Sequence, residues 1–147
     1  MLKEGDRMPE FRVQDQDGNT VTDKDFAGRK VVLYFYPKDS TPGCTAEACN
    51  LRDNFSALTS AGYAVYGVSK DSVASHAKFR EKHSLPFTLL SDPSTEMLRA
   101  FGAWGEKKMY GKVTEGTLRK TVLISEDGIV ERIIDKVDTR NHAAQIL

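Results

Sequence analysis

The sequence predicts an α/β fold: a central mixed β-sheet flanked by helices on both faces and preceded by an N-terminal β-hairpin. Three observations carry this. Short apolar runs with strand character alternate with segments of helical spacing, which implies parallel strands joined by crossover helices. The run Val31-Val32-Leu33-Tyr34-Phe35-Tyr36 is continuously apolar and rich in β-branched and aromatic residues, as in a strand buried on both faces. Turn signatures at Asp17-Gly18-Asn19 and Glu126-Asp127-Gly128 mark one hairpin near each end of the chain.

Phe11-Arg12-Val13-Gln14 and Thr20-Val21-Thr22 are the strands of the first hairpin. Asp23 caps a short helical turn through Phe26, ended by Gly28. The central strand spans residues 30–36 and stops at Pro37, which has no N–H to give a ladder. Thr41-Pro42-Gly43 opens a helix that runs to about residue 60, with a cap oxygen on Thr41 and a preset first-turn dihedral at Pro42. Its stripe is Cys44, Ala48, Leu51, Phe55 and Leu58, and Gly62 stops it. Residues 64–68 form a second buried strand. Asp71 or Ser72 caps a helix to about residue 84, and Pro86 precedes a third strand at residues 87–90. Asp92-Pro93 or Ser94 starts a helix holding Met97, Leu98 and Phe101. Residues 102–116 read as a glycine-punctuated loop, 118–125 and 129–134 as the second hairpin, and Asn141 begins a final helix. A thioredoxin-like arrangement with an added hairpin satisfies this order, as a single domain over residues 1–147.

Charge and apolar content exclude several functions. Lys plus Arg and Asp plus Glu both number 21, so there is no basic surplus for nucleic-acid binding. No apolar run approaches the roughly 18 residues of a membrane span, and the N-terminus lacks a signal-peptide core. The expected compartment is the cytoplasm, with no nucleic acid and no membrane as partner. Two cysteines five positions apart are no disulfide framework there. Redox chemistry, nucleophilic catalysis, a metal site or two inert thiols remain open. His76 and His83, seven apart on one helix, read as surface residues too far apart to share an ion. No metal and no cofactor is expected.

A thiol reacts as its thiolate, and an ordinary thiol near pKa 8.5 is only about 3% ionised at pH 7. Cys44 lies where a strand ends and a helix begins, so free N–H groups and the helix dipole favour its anion. Lowering the pKa to about 6 takes roughly 3.4 kcal/mol, and a helix end supplies about 0.5 to 2. A second cation is needed. The spacing adds a constraint. Residues five apart on a helix are separated by about 7.5 Å along the axis and about 140° around it. A disulfide needs Cα atoms within about 7 Å. Cys44 and Cys49 therefore either never bond or bond only when the helix unwinds.

The run Pro37-Lys38-Asp39-Ser40-Thr41-Pro42-Gly43-Cys44 resembles the peroxiredoxin signature Pro-x-x-x-Thr-x-x-Cys. Its continuation through Cys49 and Leu51-Arg52-Asp53 is similar to the Q-type branch, also called bacterioferritin comigratory protein. Residues 87–92, 101–107 and 116–119 resemble that branch too, so the likeness spans nearly the whole chain. One departure is the final helix, which stops at Leu147, short of the usual family pattern, as a truncated or disordered end would.

The resemblance implies a thiol peroxidase that reduces hydrogen peroxide and organic hydroperoxides. Cys44 would attack a peroxide oxygen and become a sulfenic acid. Thr41 would hydrogen-bond peroxide and thiolate, Pro37 would shield the pocket, and Arg119 would be the missing cation. Glu47 would orient Arg119, and Cys49 would resolve the sulfenic acid as a disulfide within the chain. Thioredoxin, or glutaredoxin, would be the reductant, and the protein a monomer or a weak homodimer. A disulfide oxidoreductase of thioredoxin type would instead want Cys-x-x-Cys, and a non-enzymatic binding module would not need the set Pro37, Thr41, Cys44 and Arg119.

Overall fold

The computed structural model describes residues 1–147, the side chain of Met109 excepted. Strands β1 (Arg12–Asp15), β2 (Thr20–Thr22), β3 (Lys30–Phe35), β4 (Tyr63–Ser69), β5 (Thr88–Ser91), β8 (Lys120–Ile124) and β9 (Val130–Ile134) form one seven-stranded sheet. Its order is β2-β1-β5-β4-β3-β8-β9. β4 runs parallel to β3 and β5, while β8 is antiparallel to β3. The predicted mixed sheet and N-terminal hairpin are therefore both present.

Side-chain alternation along β3 splits the core in two. Val31, Leu33 and Phe35 face a layer with Phe11, Phe26 and Phe101. Val32, Tyr34 and Tyr36 face the other, with Cys44, Ala48, Leu51, Leu58 and Phe79. Helices α1 (Pro42–Asp53), α2 (Phe55–Ser60) and α3 (Val73–Lys82) supply the second layer, joined by α5 (His142–Ile146) through Ala143 and Ile146. The helix α4 (Glu96–Ala100) covers the first through Met97 and Leu98. At Gly67 on β4, a Cβ would come within 2.8 Å of the Tyr34 ring and 2.9 Å of Leu89, so only glycine lets the second layer close there.

Three expectations are corrected. The helix predicted to reach residue 60 breaks at Asn54, whose backbone leaves the helical range (φ −110°, ψ 15°). Its side-chain amide donates to the Asn50 carbonyl (2.8 Å), offering the backbone an alternative to the next helical bond. The stripe survives the break, since Leu58 is fully buried. The expected loop at 102–116 is a separate hairpin, β6 (Trp104–Met109) with β7 (Lys112–Thr117). Tyr110 and Gly111 turn it with φ of 53° and 77°, the paired positive values of a tight hairpin turn. Lysines and glutamates fill these strands, so no apolar alternation announces them. His76 is not a surface residue: it is fully buried, its Nδ1 2.7 Å from the Asp39 carboxylate and its Nε2 2.9 Å from the Leu90 carbonyl.

Caps also differ in detail. Ser72 caps α3 by accepting from Ser75 N (3.1 Å), while Asp71 bonds Asp39 N and Ser69. Thr41 stands at the N-cap of α1, yet its hydroxyl donates to the Lys38 carbonyl (2.8 Å) instead of capping. Among the described residues no helix is long and apolar enough to cross a membrane.

Candidate active site

Cys44 sits in the first turn of α1, just beyond the carboxyl end of β3, and is 1% exposed. The cation that reaches this thiol is Arg119, on the short link between β7 and β8. Its Nη2 donates to Cys44 Sγ at 3.3 Å and its Nη1 to Glu47 Oε1 at 2.7 Å. Glu47 lies one helical turn after Cys44, so thiol and carboxylate share a face and grip one guanidinium between them. Gly43 leaves the space: a Cβ there would stand 3.4 Å from Arg119 Nη2. Burial opposes the Arg119 charge, but Glu47 and Cys44 outweigh it and hold the guanidinium above its ordinary pKa.

Glu47 is buried at 0% exposure. That burial pushes its carboxyl up to about 7, against the pull of Arg119. Its Oε2 has no hydrogen-bond donor among the described residues and lies 3.5 Å from His142 Nε2. Gln145 Nε2 donates to the Lys136 carbonyl, which turns Oε1 toward His142 Nδ1 at 2.7 Å. Nδ1 therefore carries the proton, and Nε2 is left to accept from Thr121 Oγ1 at 2.7 Å. Burial lowers the His142 pKa, consistent with a neutral ring.

The loop before Cys44 is anchored from below. Asp39 accepts from Tyr36 (2.6 Å), Ser75 (2.8 Å) and His76 (2.7 Å). Both ring nitrogens of His76 face oxygen atoms, which ties the loop to the strand holding Leu90. Burial pushes the Asp39 carboxyl up, but these donors outweigh it and leave its pKa below the usual range. Ser40, next in the chain, holds a strained φ of 63°. Asp39, Asp71 and His76 place ligand atoms within 4.8 Å of one another, as a metal site would. Those atoms are already saturated by protein hydrogen bonds, which makes the group a loop anchor. Pro37 and Arg119, with Gly102, Lys107, Leu118 and Lys120, line a cavity of about 580 Å³. Thr41, its proton given to Lys38, offers only oxygen lone pairs in this state.

Cys49 is half-buried on the far side of α1, and both thiols are free. Its Sγ lies 3.9 Å from His83 Nδ1, so His83 too is no simple surface histidine. The structure thus brings Cys44, Arg119 and Glu47 into contact, places Pro37 in one cavity lining with Arg119 and Thr41 at the N-cap of α1, and holds Cys49 apart. Sequence reasoning missed Asp39–His76, His142 and His83. No local pattern marks a histidine whose partner lies 37 residues away.

The chain is similar along its whole length to known proteins. The model of the AhpC/TSA family matches residues 4–133. Peroxiredoxin Bcp of Escherichia coli K12 is 47% identical over 146 residues, 99% of this chain and 94% of that protein. A putative peroxiredoxin of Mycobacterium tuberculosis H37Rv is 46% identical over 145 residues, 99% of this chain and 92% of its own length. Among solved structures, the bacterioferritin comigratory protein of Xanthomonas campestris, which has alkyl peroxide reduction activity, superposes with a TM-score of 0.87 at 39% identity. That match covers 92% of this chain and 87% of the other. A cysteine mutant of Xylella fastidiosa PrxQ superposes with a TM-score of 0.91 at 30% identity, covering 99% and 93%. With a buried thiol at a helix start, a guanidinium on its sulfur and these relatives along its whole length, the chain belongs to the AhpC/TSA family, on the Q-type peroxiredoxin branch, and is a thiol peroxidase.

Proposed function

We propose that Cys44 is the peroxidatic thiol, that Arg119, Thr41, Pro37 and Glu47 build its pocket, and that Cys49 resolves the oxidised product. The observation that carries this reading is the Arg119 guanidinium shared between Cys44 Sγ and Glu47. Cys44 thiolate attacks one peroxide oxygen; the S–O bond forms as the O–O bond breaks, and the departing oxygen leaves as water or an alcohol once protonated. Charge moves from sulfur to that oxygen, and a fixed guanidinium beside the path stabilises it where it goes. Thr41 accepts from the peroxide hydroxyl, and Pro37 excludes water. Cys49 then condenses with the sulfenic acid, and thioredoxin, or glutaredoxin, reduces the disulfide.

The cavity of about 580 Å³ beside Arg119 has room for an organic hydroperoxide as well as hydrogen peroxide. The activity of the Xanthomonas campestris relative on alkyl peroxide supports that range. We place the protein in a reducing compartment such as the cytoplasm, acting as a monomer or a weak homodimer. The test is to add hydrogen peroxide to the reduced protein and count free thiols. Two thiols are lost in wild type, with mass consistent with a disulfide, and Cys44→Ser consumes no peroxide. Turnover in Cys44→Ser at even a few per cent of wild type would assign the chemistry elsewhere.

A further inference from the structure

His83 follows the last turn of α3 and faces the middle of α1. Its ring packs edge-on against Phe79, with centroids 5.1 Å apart at 70°, and turns Nδ1 toward Cys49 Sγ at 3.9 Å. Arg52, three residues after Cys49, donates from Nη1 to the His83 carbonyl at 2.7 Å. Arg52 is thereby tied to the backbone of the residue whose imidazole faces the thiol. The titratable and charged groups facing the ring are Cys49 and Arg52 from α1 and Lys82 from α3. Burial, then Lys82 and Arg52, lower the His83 pKa, so the ring is a free base at neutral pH.

Both halves of α1 are anchored, by different groups. Its rear half is held by Asn50, which donates to the Arg140 carbonyl and accepts from Ala143 N, both at 2.9 Å, and by Arg52. Its front half is held by Arg119, which donates to Cys44 Sγ and to Glu47 Oε1. The Arg119 contact with Cys44 changes once that sulfur carries oxygen, whereas the contacts of Asn50 and Arg52 do not involve the reacting sulfur. Opening of the front turns would leave Cys49 against His83.

We propose that His83 is the general base of the resolving step, an inference that rests on reading Cys49 as the resolving thiol. His83 Nδ1 takes the Cys49 proton as the sulfur attacks the sulfenic sulfur of Cys44. The S–S bond forms with the Cys49 electron pair, and the S–O bond breaks with its pair going to oxygen. The departing hydroxide takes the proton from His83 and leaves as water. Cys49 is oxidised and the sulfenic sulfur reduced, so no outside oxidant is required.

The test is a single turnover of the reduced protein with one equivalent of hydrogen peroxide, quenched over time and read by intact mass. The ratio of disulfide formation to sulfenic acid formation is taken from the same trace, in wild type and His83→Gln. An ordinary thiol is about 3% ionised at pH 7, so a base that removes the proton gains at most about 30-fold. The variant should lose up to about 30-fold in that ratio at pH 7, and the deficit should close by about pH 9. An unchanged ratio at pH 7 overturns the proposal. A deficit constant with pH also overturns it, because a packing effect on helix opening would not titrate. If wild type forms no Cys44–Cys49 disulfide at all, the resolving reading fails first and this inference fails with it.

Discussion

Two thiols five residues apart on one helix meet two differently built environments. Cys44 is sealed at 1% exposure, and its arginine reaches it from a strand end 75 positions away, clamped by a fully buried carboxylate. Cys49 is half-buried, and its arginine stands on the same helix, a third exposed and paired with the more exposed Asp53. The first environment is rigid because three separate elements have to agree on it. The second is local and looser. That difference suits the two proposed steps: peroxide attack gains from donors fixed before reaction, whereas disulfide formation requires part of the helix to come apart.

The sharpest way to break this comparison is to remove one thiol. Cys49→Ser should still lose its Cys44 thiol to one equivalent of peroxide, since the Arg119 site is untouched. It should then lose thioredoxin-linked recycling altogether and drift to the sulfinic acid as more peroxide arrives. Peroxide consumption with thioredoxin, followed by mass, checks this. Normal recycling in Cys49→Ser would mean that one cysteine suffices.

Next come the two arginines. Arg119→Ala should slow the peroxide step by roughly 10²- to 10³-fold, the usual cost of losing one such electrostatic donor. Raising the pH should recover the part due to lost thiolate and leave the part due to lost contact in the transition state. Arg52→Ala should leave that step within a few-fold of wild type and act on disulfide formation. Stopped-flow oxidation over a range of pH separates them. Equal losses in both variants would erase the distinction between the two environments.

Hydrogen exchange tests the motion. Cys44 and Cys49 both lie within the unbroken helix α1, so the spacing argument holds in the folded state. Oxidation should raise amide exchange at least about tenfold across residues 44–49, as backbone bonds worth about 1 kcal/mol each are lost. The Ala143 amide, bonded to Asn50, should stay protected if opening stops short of the rear half. Equal protection of residues 44–49 in both redox states, with the disulfide confirmed, would sink the local-unfolding argument.

The two environments were not equally legible in the sequence. The strand–turn–helix run ending at Cys44 could be read because its parts are contiguous, and the pKa arithmetic required a cation before any was found. Arg119 itself came only from resemblance; without it, an arginine at a strand end is a surface charge. The buried sheet was legible because β3 is apolar from Val31 onward, whereas the β6–β7 hairpin was missed because solvent faces most of it and no alternation is needed. His76, His83 and His142 were invisible for one physical reason. Each acquires its role from a partner on another element, and burial of a histidine has no local signature. Asn54 misled in the other direction, since an asparagine within an apolar stripe hides a helix break.

The smallest expected effect falls on the clamp itself. Burial raises the Glu47 carboxyl from 4.5 to about 7. Between those values the folded chain holds a proton that the unfolded chain has released, so stability falls as pH rises through the window. The loss amounts to about 3 kcal/mol and is complete above pH 7. Glu47→Gln removes this titration. At pH 5, where Glu47 is mostly neutral, variant and wild type should be close in stability; at pH 8 the variant should be the more stable. The same change takes the charged partner from Arg119, and a guanidinium held less firmly should slow the peroxide step by about tenfold, less than losing it outright. Gaining stability while losing rate is what a strained functional carboxylate predicts. Thermal melts at pH 5 and pH 8, set beside the oxidation rate, decide the matter. Parallel stability curves for the two proteins would mean that Glu47 is ionised throughout, and that the cost of its burial is met in full by Arg119.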